Sequence, residues 1–298
     1  QTLGIIISEG HKPSNVSDAH VVVFSSAVRP DNVEVVEAMA RKIPVIERAE
    51  MLGELTRMKF TVGISGTHGK TTTTSLAGQI LTAAGFQPTI IVGGIAQSLG
   101  SGGILGEGHH FVVEADEYQR TFLQMFPTIA VVTSIEADHL DCYRDLDDIR
   151  ETFAAYLSRL PFFGVAIMCI DDPNVRDLAA AVQRSLVTYG LSKDADIRAT
   201  NIELRGFSSS FELIAQGESI GRVEVPIPGE HNVRNTLAAI AVGRELGIPI
   251  EVASSGLASF SGVNRRFQIR GAHDGVTVVD DFAHHPTALR ETLRTAKK

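Results

Sequence analysis

The sequence predicts an α/β fold built on a largely parallel sheet with a small antiparallel subsheet. Three observations carry this. Short continuous apolar runs such as FTVGIS (60–65), IAVVTSI (129–135) and VAIMCI (165–170) suit strands covered on both faces. Stretches with apolar residues at helical spacing lie between such runs, giving the alternation expected of βαβ units. From about residue 197 to 228 the runs shorten and alternate, as in SFELIAQG and RVEVPIPG, which marks antiparallel pairing.

In chain order, strands are expected at GIII (4–7), VVVFSS (21–26) and PVIE (44–47), with helices over 31–42 and 49–58. A second series opens with the strand 60–65 and a helix from about 70 to 85, followed by strands at TIIVGG (89–94), FVVEAD (111–116) and 129–135. The segment 145–160 carries acidic residues in its first turn, where the helix dipole favours them, ahead of an apolar stripe. Strand 165–170, a helix after Pro173 and strand LVTYG (186–190) precede the antiparallel region. Two helices, 232–247 and 249–260, then lead to a strand in VTVVDDFA (276–283) and a last helix running to Lys298.

Composition narrows the function. With 44% hydrophobic and 21% charged residues over 298 positions, the chain can bury a large core, which excludes disordered and collagen-like classes. A net charge of -8 argues against general phosphate-backbone binding, so no nucleic-acid partner is expected. Cys142 and Cys169 cannot build a multi-bridge framework, and their separation is no metal motif, so a reducing, cytoplasmic setting is expected. Apolar stretches end after six or seven residues, and no basic segment followed by an apolar one opens the chain. Neither a membrane span nor a signal peptide is expected.

The sharpest local signal is GISGTHGKTT (63–72), placed between a strand and a helix. Gly66 and Gly69 permit torsions and close approaches that a Cβ blocks, so the amides of Thr67, His68, Gly69 and Thr72 can face phosphate oxygens. The helix that begins near Lys70 adds its positive end, the Lys70 ammonium can reach the β- and γ-phosphates, and Thr71 can place its hydroxyl on magnesium. The strict spacing would put the first glycine at Ile64, so this is a variant loop.

Ligands of open α/β sheets sit at the carboxyl ends of strands. Glu114-Ala115-Asp116-Glu117 and Glu136-Ala137-Asp138-His139 occupy two such ends, either as solvated termini or as ligands beside Thr71. Asn232 and Asn235 share a helical face and could read an adenine edge, although spacing alone favours Asn232 as a helix cap. Arg265 and Arg266 are either a solvated pair or a γ-phosphate contact, and Asp280-Asp281 with His284-His285 end another strand, where paired histidines raise the possibility of metal.

Taken in order, SSAVRPDN (25–32), PVIERAEML (44–52), GTHGKTTTT (66–74), EADE (114–117), SIEADHLD (134–141), GEHNVRN (229–235), GVNRRF (262–267) and DDFAHHPT (280–287) resemble the Mur ligases, over essentially the whole chain. The resemblance implies a partial N-terminal Rossmann-like domain for a UDP-linked substrate (1–58), a P-loop ATPase domain (59–268) and the start of a C-terminal Rossmann-like domain (269–298). It implies ATP and Mg2+, with the phosphate loop through Lys70 on the triphosphate and Thr71, Glu114 and His139 serving the metal. Asn232 and Asn235 would meet adenine, Arg266 the γ-phosphate, and Asp281 the nucleotide. Lys70, Glu114, His139 and Arg266 would carry catalysis.

No lysine lies between Thr71 and Ser192, so the carbamylated lysine of several family members is impossible here. This points to the branch that joins L-alanine to the carboxylate of UDP-N-acetylmuramate through an acyl phosphate, with the murein tripeptide-recycling ligase as the alternative. The resemblance also leads to the expectation of a fragment that binds ATP–Mg yet ligates little. A non-catalytic nucleotide-binding module and a small-molecule phosphotransferase are the competing classes.

Overall fold

A computed structural model of the chain describes residues 4–96 and 101–297. The chain divides into two units, Gln1–Leu55 and Thr56–Lys298. In the first, strands β1 (Val22–Phe24) and β2 (Val45–Glu47) pair in parallel, connected through helix α1 (Val33–Ala40), and helix α2 (Arg48–Arg57) follows. Asn32 caps α1 by accepting from the Glu34 amide at 2.9 Å, and Val16, Val35 and Ala38 are buried. The strand expected at 4–7 does not form: Ile5, Ile6 and Ile7 are 62%, 92% and 67% exposed. An apolar run becomes a strand only where a neighbour takes its backbone hydrogen bonds, and among the described residues none pairs with it.

The second unit is organised on a ten-stranded sheet. Its strands are β3 (Phe60–Ser65), β4 (Thr89–Ala96), β5 (Ser101–Ile104), β6 (His110–Glu114), β7 (Ile129–Val132), β8 (Val165–Cys169), β9 (Ser185–Gly190), β10 (Ile197–Arg205), β11 (Ser208–Ala215) and β12 (Glu218–Val225). The order is β12-β11-β10-β9-β8-β7-β3-β6-β4-β5. Pairing is parallel from β10 through β4, while β10, β11 and β12 form the expected antiparallel subsheet and β5 adds an antiparallel edge. The run from Val165 to Cys169 is buried throughout, as a strand covered on both faces must be.

Helices α3 (Lys70–Ala83), α6 (Glu230–Glu245) and α7 (Ile250–Ala258) pack together over one face, where Leu76, Ile80, Leu237 and Leu257 join the strand core. Elsewhere in the unit α4 (Leu146–Leu157) packs by α5 (Pro173–Ala179), and Phe122 stacks on Tyr156 with ring centroids 4.7 Å apart. Asp145 caps α4 by accepting from the Asp148 amide, and Asp172 caps α5 by accepting from Val175. The chain then makes a hairpin of β13 (Gln268–His273) and β14 (Val276–Asp280) and helix α8 (Pro286–Ala296). The sequence pattern showed one strand here, not two. The expected end of α8 at Lys298 lies outside the described residues. Among the described residues no helix is long and apolar enough to cross a membrane.

Candidate functional site

Strand order creates the site. Because β3 lies between β6 and β7, the loop leaving β3 is flanked on one side by the carboxylates after β6 and on the other by those after β7. Gly66 at φ +130° and Gly69 at φ +84° shape the loop, and Gly69 is the N-cap of α3. The loop is tied to the end of β7: Thr67 and His68 donate their amides to Ser134 O (2.9 Å) and Ser134 Oγ (3.0 Å), Glu136 N donates to Thr67 Oγ1 (2.9 Å), and the Thr133 hydroxyl donates to the His68 carbonyl. The Thr67 and His68 amides are therefore engaged within the protein. The donors that helix geometry leaves free are those of the first turn of α3.

Lys70 donates to Gly66 O at 2.8 Å and to both oxygens of Glu117 at 2.9 and 2.7 Å. Glu117 is 2% exposed, and burial pushes its carboxyl above the usual range against the pull of the Lys70 ammonium. Tyr143 fixes this turn by donating its hydroxyl to the Glu117 carbonyl at 2.5 Å. Thr71 Oγ1 donates to Glu114 Oε1 at 3.2 Å, and Glu114 Oε2 accepts from Gly93 N at 2.7 Å. His139, at φ +53°, sits apart from that pair: its Nε2 is 4.0 Å from Glu117 Oε1, and it groups with Asp116 and Glu117. Lys70, Thr71, Glu114 and His139 line one cavity of about 530 Å³, which Thr67, His68, Gly69, Thr72, Arg266 and Asp281 also border.

Asn232 and Asn235 lie on the same cavity. They are joined through Asn235 Nδ2 and Asn232 Oδ1 (3.2 Å), with Asn232 Nδ2 on Pro228 O (2.7 Å) and Thr73 Oγ1 on Asn235 Oδ1 (3.3 Å). Gly229 is the N-cap of α6, so Asn232 is not the cap that spacing favoured. Beside them His231 is half-buried, its Nδ1 enclosed with no partner among the described residues, and desolvation holds its pKa below the usual imidazole value. Asp281 accepts from Phe267 N and Ala283 N, both at 2.7 Å, and the Arg266 guanidinium lies 5.8 Å from the Phe282 ring centre.

Sequence reasoning missed several contributors. Glu117, not singled out within EADE, is the partner of Lys70. Asp171, at the end of β8, accepts from Leu191, Ser192 and Arg234 Nε (2.9 Å); burial raises its carboxyl, but these bonds outweigh it and hold it below the ordinary value. Glu136 and His285 were named only within their separate strand-end clusters; what the sequence did not show is that both meet His68 across the cavity. Cys169 is buried, its thiol pushed up to about 12 by burial, and is unreactive packing.

The chain is similar to known proteins along nearly its whole length. Residues 64–243 match the family model of the Mur ligase middle domain, residues 1–60 that of the Mur ligase family catalytic domain, and residues 265–298 that of the Mur ligase glutamate ligase domain. The chain is 53% identical over 294 residues to the UDP-N-acetylmuramate–L-alanine ligase of Salinibacter ruber, covering 98% of this chain and 62% of the relative. Among solved structures, the UDP-N-acetylmuramate-alanine ligase of Thermotoga maritima superposes with a TM-score of 0.84 at 30% identity, covering 99% of this chain and 68% of that one. A murein peptide ligase of Psychrobacter arcticus superposes at 0.79 with 27% identity over 99% and 67%. The chain thus spans less than two thirds of the length of the Salinibacter relative. With the middle-domain match alone covering well over half of its residues, and the flanking matches in family order, the chain belongs to the Mur ligase family.

Proposed function

We propose that this chain carries the ATP site of a ligase that joins L-alanine to the carboxylate of UDP-N-acetylmuramate. The observation that supports it most is the loop of Lys70 set between the carboxylates that follow β6 and β7. The residues fit the nucleotide and its ion. A Cβ at Gly66 would lie 2.9 Å from Ser134 N, so only glycine leaves the loop its close path. Thr71 and Glu114 together offer hard oxygen donors, the kind magnesium takes.

In this reading Lys70 leaves Glu117 for the β- and γ-phosphates, joined by the first-turn amides of α3. Thr71 and Glu114 would hold magnesium, while His139 borders the same cavity beside Asp116 and Glu117. Magnesium bound there would neutralise triphosphate charge. Asn232 and Asn235, each with a second amide hydrogen to offer, face adenine. Arg266 meets the γ-phosphate and Asp281 the nucleotide. The reaction has two steps. The muramate carboxylate attacks the γ-phosphorus and ADP leaves; the alanine amine then attacks the acyl carbon and phosphate leaves. Two anions meet in the first step, and Lys70 with the first-turn amides of α3 lowers that repulsion.

The three-domain division at 1–58, 59–268 and 269–298 belongs to the same proposal. Murein tripeptide as acceptor is the weaker alternative, since the alanine-ligase relative is far closer in sequence than the peptide ligase structure.

Two measurements test the proposal. Calorimetry with ATP–Mg should show binding that Lys70→Ala abolishes; unchanged affinity would overturn the site. Hydroxylamine trapping in the presence of UDP-N-acetylmuramate should give a hydroxamate. ATP binding without it would leave a nucleotide-binding module in place of an acyl-phosphate-forming site.

A further inference from the structure

Of the two histidines that close the DDFAHH stretch, His284 turns to the Phe282 carbonyl at 2.9 Å, while His285 caps α8 and faces the phosphate loop. There it meets His68 and Glu136, so three separate elements converge: the loop after β3, the segment after β7 and the start of α8. His68 Nε2 and His285 Nδ1 are 3.1 Å apart, His285 Nδ1 and Glu136 Oε2 3.5 Å, and His68 Nε2 and Glu136 Oε2 3.7 Å. The point equidistant from the corners of this triangle lies roughly 2.0 Å from each atom, which is the length of a zinc–imidazole or zinc–carboxylate bond.

The surrounding groups hold these three in place. Thr287 Oγ1 donates to Glu136 Oε2 at 2.7 Å, Glu136 N is held by Thr67 Oγ1, and His68 N is held by Ser134 Oγ. Outer bonds of this kind orient metal ligands. The Thr287 amide makes only a long N-cap contact to His285 Nδ1, 3.4 Å, which an ion at that nitrogen would replace. The donor set is two imidazoles and one carboxylate, suited to zinc and ill suited to magnesium, which prefers oxygen throughout. It shares no residue with Thr71 and Glu114, or with the group of Asp116, Glu117 and His139.

We propose that His68, Glu136 and His285 form a binding site for a zinc-class divalent cation that staples the phosphate loop to α8. Helix α8 has no buried residue, so a staple at its first turn holds an element that apolar packing does not. The inference is independent of the nucleotide reading and is tested without nucleotide.

The full chain, stripped with chelator, is titrated with zinc chloride by calorimetry and with cobalt(II) by visible absorption. One zinc ion per chain is expected, with the intense visible bands of four-coordinate cobalt. His285→Ala and Glu136→Gln should each weaken zinc binding more than about tenfold, and Thr287→Val, which keeps all three ligands, by roughly tenfold. His139→Ala should leave it unchanged. Limited proteolysis should show α8 protected by zinc in the wild type and not in His285→Ala.

Absence of zinc binding by the wild-type chain overturns the proposal and leaves a hydrogen-bonded histidine pair. Binding that survives His285→Ala and Glu136→Gln, or that is lost in His139→Ala, overturns it by placing the ion elsewhere.

Discussion

The contact between Lys70 and Glu117 is an ion pair largely shielded from solvent within the site, and Glu117→Gln tests it. The Glu117 side chain is 3% exposed and that of Lys70 13%. Removing one partner of a buried pair costs about 3–5 kcal/mol, because the other charge is left without compensation. Lys70 keeps the Gly66 carbonyl at 2.8 Å and has Asp116 at 4.0 Å, so the lower end applies, about 3 kcal/mol by that principle. For a unit of this size the melting temperature should fall by roughly 6–12 °C, taking about 2–4 °C per kcal/mol. Lys70→Met strands the Glu117 carboxylate and should cost a similar amount. The double variant buries neither charge and should cost less than the sum, with a coupling of about 2 kcal/mol.

Urea and thermal unfolding, without nucleotide or divalent cations, would supply these numbers. The chain has no tryptophan, and its four tyrosines, Tyr118, Tyr143, Tyr156 and Tyr189, all lie in the second unit, so tyrosine signals report on the unit that holds the pair. If the two single costs add to the double within about 0.5 kcal/mol, the side chains do not interact energetically and the reasoning fails.

Three other outcomes are expected. Gly66→Ala places a Cβ against the Thr133 hydroxyl and within 2.9 and 3.0 Å of Ser134 N and O, at φ +130°; it should cost about 1–3 kcal/mol and abolish nucleotide binding, and wild-type affinity by calorimetry would contradict this. Tyr156→Phe removes a buried hydroxyl that has no partner among the described residues, so stability in urea should be unchanged or rise by up to about 1 kcal/mol, whereas a clear loss would reveal a partner. Burial lowers the pKa of His231, so the unfolded chain binds its proton first as the pH drops; stability should be full above about pH 6.5 and decline below it, and His231→Gln should flatten that decline, an unchanged slope disproving the assignment.

The central sheet was legible because a strand buried on both faces must be apolar at every position, as Val165–Cys169 is. Strand β5 was not: Ser101–Ile104 reads SGGI, and glycine gives no alternation to detect. The run at 4–7 erred in the opposite direction, since hydrophobicity was present but, among the described residues, no strand pairs with it. In the site, the loop of Gly66, Gly69 and Lys70 was readable because its chemistry is local, a matter of spacing at one strand-to-helix turn.

Partner assignment is a different kind of information. EADE offers three carboxylates within four residues, and nothing in their order says that Glu114 goes to Thr71 while Glu117 goes to Lys70. That division follows from where β6 stops: Glu114 is its last residue, level with Ile64 in β3, and the chain then turns so that Glu117 comes back over the loop. The same holds across the sheet. Chain order places the EADE and EADH ends on consecutive strands, as though they formed one acidic edge. Insertion of β3 between β6 and β7 separates them and puts Lys70 between two carboxylate groups with distinct partners. The group after β6 holds the lysine and the threonine, and the group after β7 faces the histidines of the loop and of α8. Local sequence thus specifies which chemistry is available, and the strand permutation specifies which atoms meet.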